Sequence, residues 1–225
     1  MESDYFLHDL SPQLFYDTFN DFIFYPEQKV FNKLTSKLFF AQEVRDIPGS
    51  IVELGVFKGS GMAAWLKICK ALGVAKNIYG FDFFNFEELK QSIKTSDKNL
   101  MTDLFLKRNF NPKEYKEQLH EKLAGIDQSF YLIEGNIVET LPRFLDENPG
   151  FRVSLVNFDV DTSEPTLLAL EALWPRLVPG GIFIFDEYGV NEWTESDAVD
   201  TFLGKHNLRI KRTNFMAPTA YIQKS

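Results

Sequence analysis

The stretch IVELGVFKGSG, residues 51–61, opens the part of the chain in which short apolar runs and helical patterns alternate. Residues 51–54 read as a buried strand. Gly55 permits a tight turn, and Gly59 and Gly61 permit close approach of backbone to a ligand. Residues 60–72 carry a helical pattern that Gly73 ends. Working outward, further strands are expected at 78–83, 130–133, 153–158 and 182–185, with helices at about 138–145, 164–177 and 198–205. Two last strands, near 208–212 and 219–223, are joined by a short loop and suit an antiparallel hairpin. Continuous apolar strands separated by helices predict a mostly parallel sheet covered on both faces. The expected fold is a doubly wound, seven-stranded α/β domain over 48–225. Residues 1–47 form a helical extension, in which Ser11-Pro12 is a start signal and Val30, Phe31, Leu34, Leu38 and Phe39 recur at helical spacing. That extension is a lid, an oligomer contact or helices packed on the core. Residues 84–128 are a polar insertion between the second and third strands.

Composition limits the function classes. The chain has 225 residues, enough for one large core, and its 15 % aromatic content with 23 Phe excludes a disordered chain. A net charge of −8 argues against nucleic acid or an anionic membrane as a main partner. The one cysteine, Cys69, lies in an apolar run and reads as a buried thiol. The start MESDYFLHDL is broken by charge, unlike a signal peptide, and no apolar run reaches membrane-spanning length. A soluble, cytoplasmic protein is expected.

Two strands end in acid: VNFDVD at 156–161 and FIFDEYG at 183–189. If they are parallel neighbours, Asp159, Asp186 and Glu187 converge in one crevice at the sheet edge. Three uncompensated carboxylates there would repel without a cation. Oxygen-only ligands suit Mg²⁺ or Mn²⁺, whereas Zn²⁺ favours His or Cys. In open parallel sheets ligands bind beyond the strand C-termini, at the switch point. The glycine turn at 55–61 sits on that edge, but Phe57 stands where a dinucleotide fingerprint has its second glycine. Glu53 suits a cationic ligand group or a helix dipole. Asp82, ending the second strand, suits ribose hydroxyls or a helix cap. Their joint placement favours a nucleoside site.

IVELGVFKGSG, IYGFDFF, VNFDVDTSEPT, LVPGGIFIFDEYG and DAVDTF together resemble the class I S-adenosylmethionine-dependent methyltransferases over about residues 48–205. More narrowly, they are similar to the macrocin O-methyltransferase-like group, metal-dependent enzymes acting on sugar hydroxyls. The resemblance implies that Gly55, Gly59 and Ser60, with Glu53 nearby, approach the methionine portion of the cofactor. It implies Asp82 on the ribose and Gly135-Asn136 beside the adenine, although Asn136 also reads as a turn residue. Asp159, Asp186 and Glu187 align with the group's metal ligands, with Glu187 where an aspartate is usual. Val160 replaces a glycine, Ser163 a tyrosine and Pro165 a serine, next to the acceptor side. Asp161 is the candidate general base, and it reads equally as a cap of the following helix.

The expected activity is S-adenosylmethionine- and Mg²⁺-dependent O-methylation of a sugar, sugar nucleotide or glycosylated natural product. A catechol-type O-methyltransferase and a non-catalytic cofactor-binding protein are the alternatives, and a homodimer through the Phe-rich N-terminal helices is a further expectation. Tyr188 and Trp193 are candidates for the acceptor pocket. His8, His120 and His206 lack ligand spacing. The lysines of the insertion (Lys90, Lys94, Lys98, Lys107, Lys113 and Lys116, with Arg108) alternate with acids and read as a solvated face before a phosphate-binding lid.

Overall fold

The computed structural model describes residues 11–84 and 112–225. Two helices come first, α1 (Pro12–Phe24) and α2 (Lys29–Glu43). They are followed by β1 (Ser50–Leu54), α3 (Ser60–Leu72), β2 (Ile78–Asp82), α4 (Pro112–Ala124), β3 (Phe130–Glu134) and α5 (Ile137–Glu147). The chain closes with β4 (Val153–Phe158), α6 (Ser163–Leu173), β5 (Leu177–Phe185), α7 (Glu195–His206), β6 (Lys211–Arg212) and β7 (Ala220–Gln223).

The seven strands form one sheet in the order β3-β2-β1-β4-β5-β7-β6. Strands β1 to β5 pair in parallel. β7 runs antiparallel between β5 and β6, which closes the expected C-terminal hairpin. The strand order reverses between β1 and β4, so the switch point lies at their C-terminal ends.

Alternation along the strands explains why both faces are covered. Val52, Leu54, Phe81, Val156, Phe158, Phe183 and Phe185 point to one face, against α5, α6 and α7. Ile51, Ile78, Leu155, Ile182 and Ile184 point to the other, against α2, α3 and α4. The central strands β1, β4 and β5 are therefore buried at consecutive positions, the pattern of a sheet covered on both faces. Cys69 is a buried free thiol on α3. No helix among the described residues is long and apolar enough to cross a membrane.

One expectation needs correction. The helix expected over 164–177 stops at Leu173, and β5 begins at Leu177 and runs through Pro179-Gly180-Gly181. Those residues read as a breaker, yet Gly180 (φ 80°) absorbs an irregularity in the strand, and its N–H donates to the Lys224 carbonyl at 2.8 Å. α2 has two unlike faces. Its apolar stripe, Val30, Phe31, Leu34, Leu38 and Phe39, is exposed. The face turned inward carries Ser36, Lys37, Phe40 and Ala41. Ser11 caps α1 as expected by accepting from Leu14 N–H at 3.1 Å, and α1 buries none of its residues.

Candidate active site at the switch point

The glycine turn is built from backbone and held by one carboxylate. Asp82, at the end of β2, accepts from the Val56 and Phe57 N–H groups through Oδ2, both at 2.8 Å. Its Oδ1 accepts from Phe84 N–H at 3.2 Å. Burial pushes this carboxyl above the usual range, and those amides pull it back. Phe57 sits at φ 49°, a left-handed conformation that a bulky residue adopts only when held there. The two amide bonds to Asp82 supply that hold. The fingerprint's glycine is thus replaced in sequence, while the backbone keeps a glycine-like conformation.

Close approach governs the rest of the turn. Gly55 has φ 89°, and a Cβ there would overlap the Asp159 carbonyl oxygen. Gly61 faces Glu53, whose carboxylate fills the space a side chain would need. Gly59 is the left-handed N-cap of α3, so the free N–H groups of α3 open onto the crevice. Glu53 itself is buried, and its Oε2 lacks a hydrogen-bond partner. Burial raises its pKa to about 7, against the pull of Lys37 at 3.9 Å. A buried, half-satisfied carboxylate beside a cradle of N–H groups fits an amino-acid end with both charges. Gly135 has φ 121° and donates to the Asp82 carbonyl at 2.9 Å. Asn136 is the N-cap of α5 and accepts from Val138 N–H at 3.1 Å, so its side chain is engaged in the helix start.

On the other side of the switch point lie the acids that end β4 and β5. Their partners come from the far end of the chain. Lys33 Nζ lies 3.2 Å from Asp159 Oδ2 and 2.8 Å from Asp186 Oδ2. Lys29 Nζ lies 2.7 Å from Glu187 Oε1. With Lys37 against Glu53, three lysines spaced four apart on α2 each meet an acid at the tip of β1, β4 or β5. The carboxylates are therefore not uncompensated, contrary to the premise that only an external ion could balance them. Burial and the neighbouring Asp186 still raise Asp159 to about 6.

Asp161 stands at φ 63°, in the left-handed region, just before α6. It is not the cap of that helix. Thr162 is the N-cap and makes no side-chain cap bond, while Ser163 N–H donates to Thr194 Oγ1 at 3.0 Å. Burial, with Asp159, Glu187 and Asp186 nearby, holds the Asp161 carboxyl well above the usual range. A further acid, Glu195, lies fully buried at the start of α7. Its Oε1 accepts from Glu187 N–H at 3.2 Å and its Oε2 has no hydrogen-bond partner. Burial, then Asp161, pushes its carboxyl well up.

Sequence reasoning missed the lysine ladder and Glu195. The ladder's signal was the spacing Lys29, Lys33, Lys37, which lines one helix face. Glu195 looked like an ordinary first-turn acid.

As placed, the acids do not close on one point, and no group of three His, Cys, Asp or Glu among the described residues could hold a metal ion. They offer oxygen donors only, and the buried Asp186 Oδ2 is balanced by Lys33. Tyr188 OH donates to Asp200 Oδ1 at 2.8 Å, which ties this acceptor-pocket candidate to α7. His206 pairs with Glu171 at 3.2 Å and His120 packs on Phe130, both outside the crevice. Of the insertion lysines, Lys116 pairs with Glu134. His8, Lys90, Lys94, Lys98, Lys107 and Arg108 lie outside the described residues, as does the side chain of Lys113.

A seven-stranded sheet of this order, with a glycine turn and acids at the switch point, defines the α/β methyltransferase fold. The sequence pattern of the macrocin-O-methyltransferase (TylF) family matches residues 33–224, and the chain belongs to that family. It is 27% identical over 164 residues to 8-demethyl-8-(2,3-dimethoxy-alpha-L-rhamnosyl)-tetracenomycin-C 4'-O-methyltransferase from Streptomyces olivaceus, covering 72% of this chain and 60% of that protein. It is 26% identical over 172 residues to mycinamicin III 3''-O-methyltransferase from Micromonospora griseorubida, covering 72% of this chain and 63% of that protein. The chain thus spans under two thirds of the length of these curated relatives. Among solved structures, the apo form of CalS11, a TDP-rhamnose 3'-O-methyltransferase of calicheamicin biosynthesis, superposes with a TM-score of 0.70 at 26% identity, over 95% of this chain and 88% of that one.

Proposed function

We propose that this protein is an O-methyltransferase that moves a methyl group from S-adenosylmethionine to a hydroxyl of a sugar, sugar nucleotide or glycosylated natural product. The observation that carries this reading is the shared edge: the glycine turn and the acid crevice meet at the β1–β4 switch point. The named relatives, which act on sugar hydroxyls, support it. The cofactor supplies an activated methyl carbon for in-line displacement. The Gly55–Gly61 turn and the start of α3 would bind its carboxylate end, and Glu53 its amino group. Asp82 would accept from a ribose hydroxyl. Gly135 and Asn136 would border the adenine. The cofactor residues are thus Glu53, Gly55, Gly59, Ser60, Asp82, Gly135 and Asn136.

Asp161, at positive φ beside Asp159, would take the proton of the acceptor hydroxyl. A divalent ion, Mg²⁺ or Mn²⁺, held by Asp159, Asp186 and Glu187, would lower the pKa of that hydroxyl. Asp161 then needs to act only as a modest base. The acceptor is a small polyhydroxylated molecule, and the net charge of −8 disfavours nucleic acid and anionic membranes. The protein is proposed to act in the cytoplasm as a homodimer through the exposed apolar faces of α1 and α2. Light scattering that finds only monomer at high concentration overturns the dimer.

The activity is tested by incubating the protein with isotopically labelled S-adenosylmethionine and a panel of deoxyribonucleoside-diphosphate sugars, macrolide glycosides and catechols, with Mg²⁺ or with chelator. Labelled sugar that needs Mg²⁺ is the expected result. Transfer to catechols alone redirects the acceptor class. No transfer, with S-adenosylhomocysteine still bound, leaves a cofactor-binding protein without this activity.

A further inference from the structure

α1 buries none of its residues, yet Phe15, Tyr16, Phe19, Phe22 and Ile23 line one side of it. On the other side Gln13 Nε2 donates to Asp17 at 2.9 Å and Asn20 to the Tyr16 carbonyl at 2.8 Å, so the polar side is satisfied within the helix. A 13-residue helix with a bare apolar side is marginal in water unless something packs on it. We propose that α1 is an arm exchanged between two copies of the chain, each laying its apolar side on the exposed stripe of the partner's α2. The inference rests on the homodimer proposed above, and adds which helices meet.

The bend between the two helices keeps α1 off its own α2. Tyr25 is extended, as the residue before Pro26 must be, and its N–H donates to the Asp21 carbonyl at 3.0 Å. The Glu27 carboxylate accepts from the Lys29 and Val30 N–H groups at 2.6 and 2.9 Å, which fixes the start of α2. The two stripes touch at this bend, where the Phe22 and Phe31 rings lie 6.5 Å apart, while toward Phe15 the arm stays bare. The area is that of an interface. The ten residues of the two stripes are roughly half exposed and offer about 100 Å² each, on the order of 1,000 Å² per copy. A stable dimer takes about 800 Å² from each partner, whereas the largest apolar patch of a monomer is roughly 300–600 Å².

A second copy fits this surface better than other occupants. The α1 stripe from Phe15 to Ile23 rises about 12 Å, and the α2 stripe from Val30 to Phe39 about 14 Å, so one helix covers the other. Each copy supplies both an arm and a receiving stripe. Two equal contacts then form about one two-fold axis, and the assembly closes with no stripe left over. A lipid surface is a poorer match, because Asp17 and Asp21 are the only charged residues of α1 and an anionic bilayer repels them. Met216, exposed beside the α2 stripe and joined to it by its N–H bond to Asn32 Oδ1 at 3.0 Å, extends the receiving surface. α2 is then held on two sides, by the sheet through Phe40 and Ala41 and by the partner's arm through its outer stripe.

The test uses the full chain and disulfide cross-linking, since Cys69 is buried and gives no cross-link of its own. Phe19→Cys and Leu34→Cys are made in separate chains, one of them carrying a tag, then mixed and oxidised. A mixed pair of doubled mass on a non-reducing gel is the expected result. A dimer that gives no mixed pair, or that joins Phe19→Cys only to itself, overturns the arm exchange and leaves the homodimer standing. A double variant that closes its disulfide within a monomer shows a folded-back arm and overturns it too. Only monomer by light scattering removes both the exchange and the dimer, and monomer that floats with phosphatidylcholine vesicles assigns the stripe to lipid instead. A second measurement is the dimer dissociation constant by sedimentation. Phe19→Asp is expected to weaken it at least ~10-fold, because the residue enters the interface twice. An unchanged constant overturns the proposal.

Discussion

The two sides of the crevice are held by opposite means. On the β1–β2 side, backbone does the binding and one carboxylate, Asp82, fixes it over a separation of some 25 residues. On the β4–β5 side, carboxylates do the binding and ammonium groups fix them from as far as 158 residues away. The first side is rigid because glycines bring main chain against main chain. The second is adjustable because long side chains meet across the surface. The difference matches the tasks. In the proposed function the cofactor meets the fixed cradle, and the variable acceptor meets the side that can rearrange.

Replacing the proposed base tests the adjustable side most directly. Asp161→Asn is expected to lower kcat by ~10²–10⁴-fold while S-adenosylhomocysteine affinity is kept. A kcat within a few-fold of wild type would return Asp161 to a purely structural role. On the rigid side, Gly55→Ala forces a Cβ onto the Asp159 carbonyl at φ 89°. It should cost at least ~3 kcal/mol, read by thermal or denaturant unfolding. Gly73→Ala is its partner experiment, since Gly73 has φ 66° but nothing within 4 Å of the added methyl. The cost there should be only ~1 kcal/mol, so the pair separates close approach from backbone conformation.

Glu53 sits where the two sides meet, and its contrast is read by pH. Its pKa rises on folding from 4.5 to about 7, chiefly through burial. A carboxyl raised on folding binds its proton more tightly in the native state. Its contribution to stability is therefore full below pH 4.5, declines as pH rises toward 7 and is flat above. Glu53→Gln should remove that decline, gaining on the order of 1 kcal/mol over wild type at pH 8 relative to pH 5. Unfolding midpoints that differ equally at both pH values would show that the charge of Glu53 is already balanced by Lys37.

The rigid side was largely legible in the sequence. Continuous apolar runs at 51–54 and 153–158 fix parallel strands, and Gly55 and Gly59 mark a turn that only glycine allows. The acids at 159, 186 and 187 were legible as strand ends. Their neutralisation was not. Lys29, Lys33 and Lys37 have their partners on β1, β4 and β5, and no local pattern records a pairing over that distance. The apolar stripe of α2 left its own orientation open for a related reason. Helical periodicity marks which residues share a face, not which face turns inward, and here the lysine face does. Pro179-Gly180-Gly181 read as a stop because the composition of a breaker and of an irregular strand start are alike. The positive φ of Phe57 and Asp161 left no trace, because neither residue type advertises it.

The lysine ladder also bears on the order in which the molecule comes together. The acids just beyond β5 are made some 150 residues after their lysine partners on α2. Until then Lys29 and Lys33 lack these counter-charges, and the contacts that join them close long loops. The crevice is thus a late checkpoint of folding. Its ion pairs form only when the N-terminal helices and the last parallel strand are both in place.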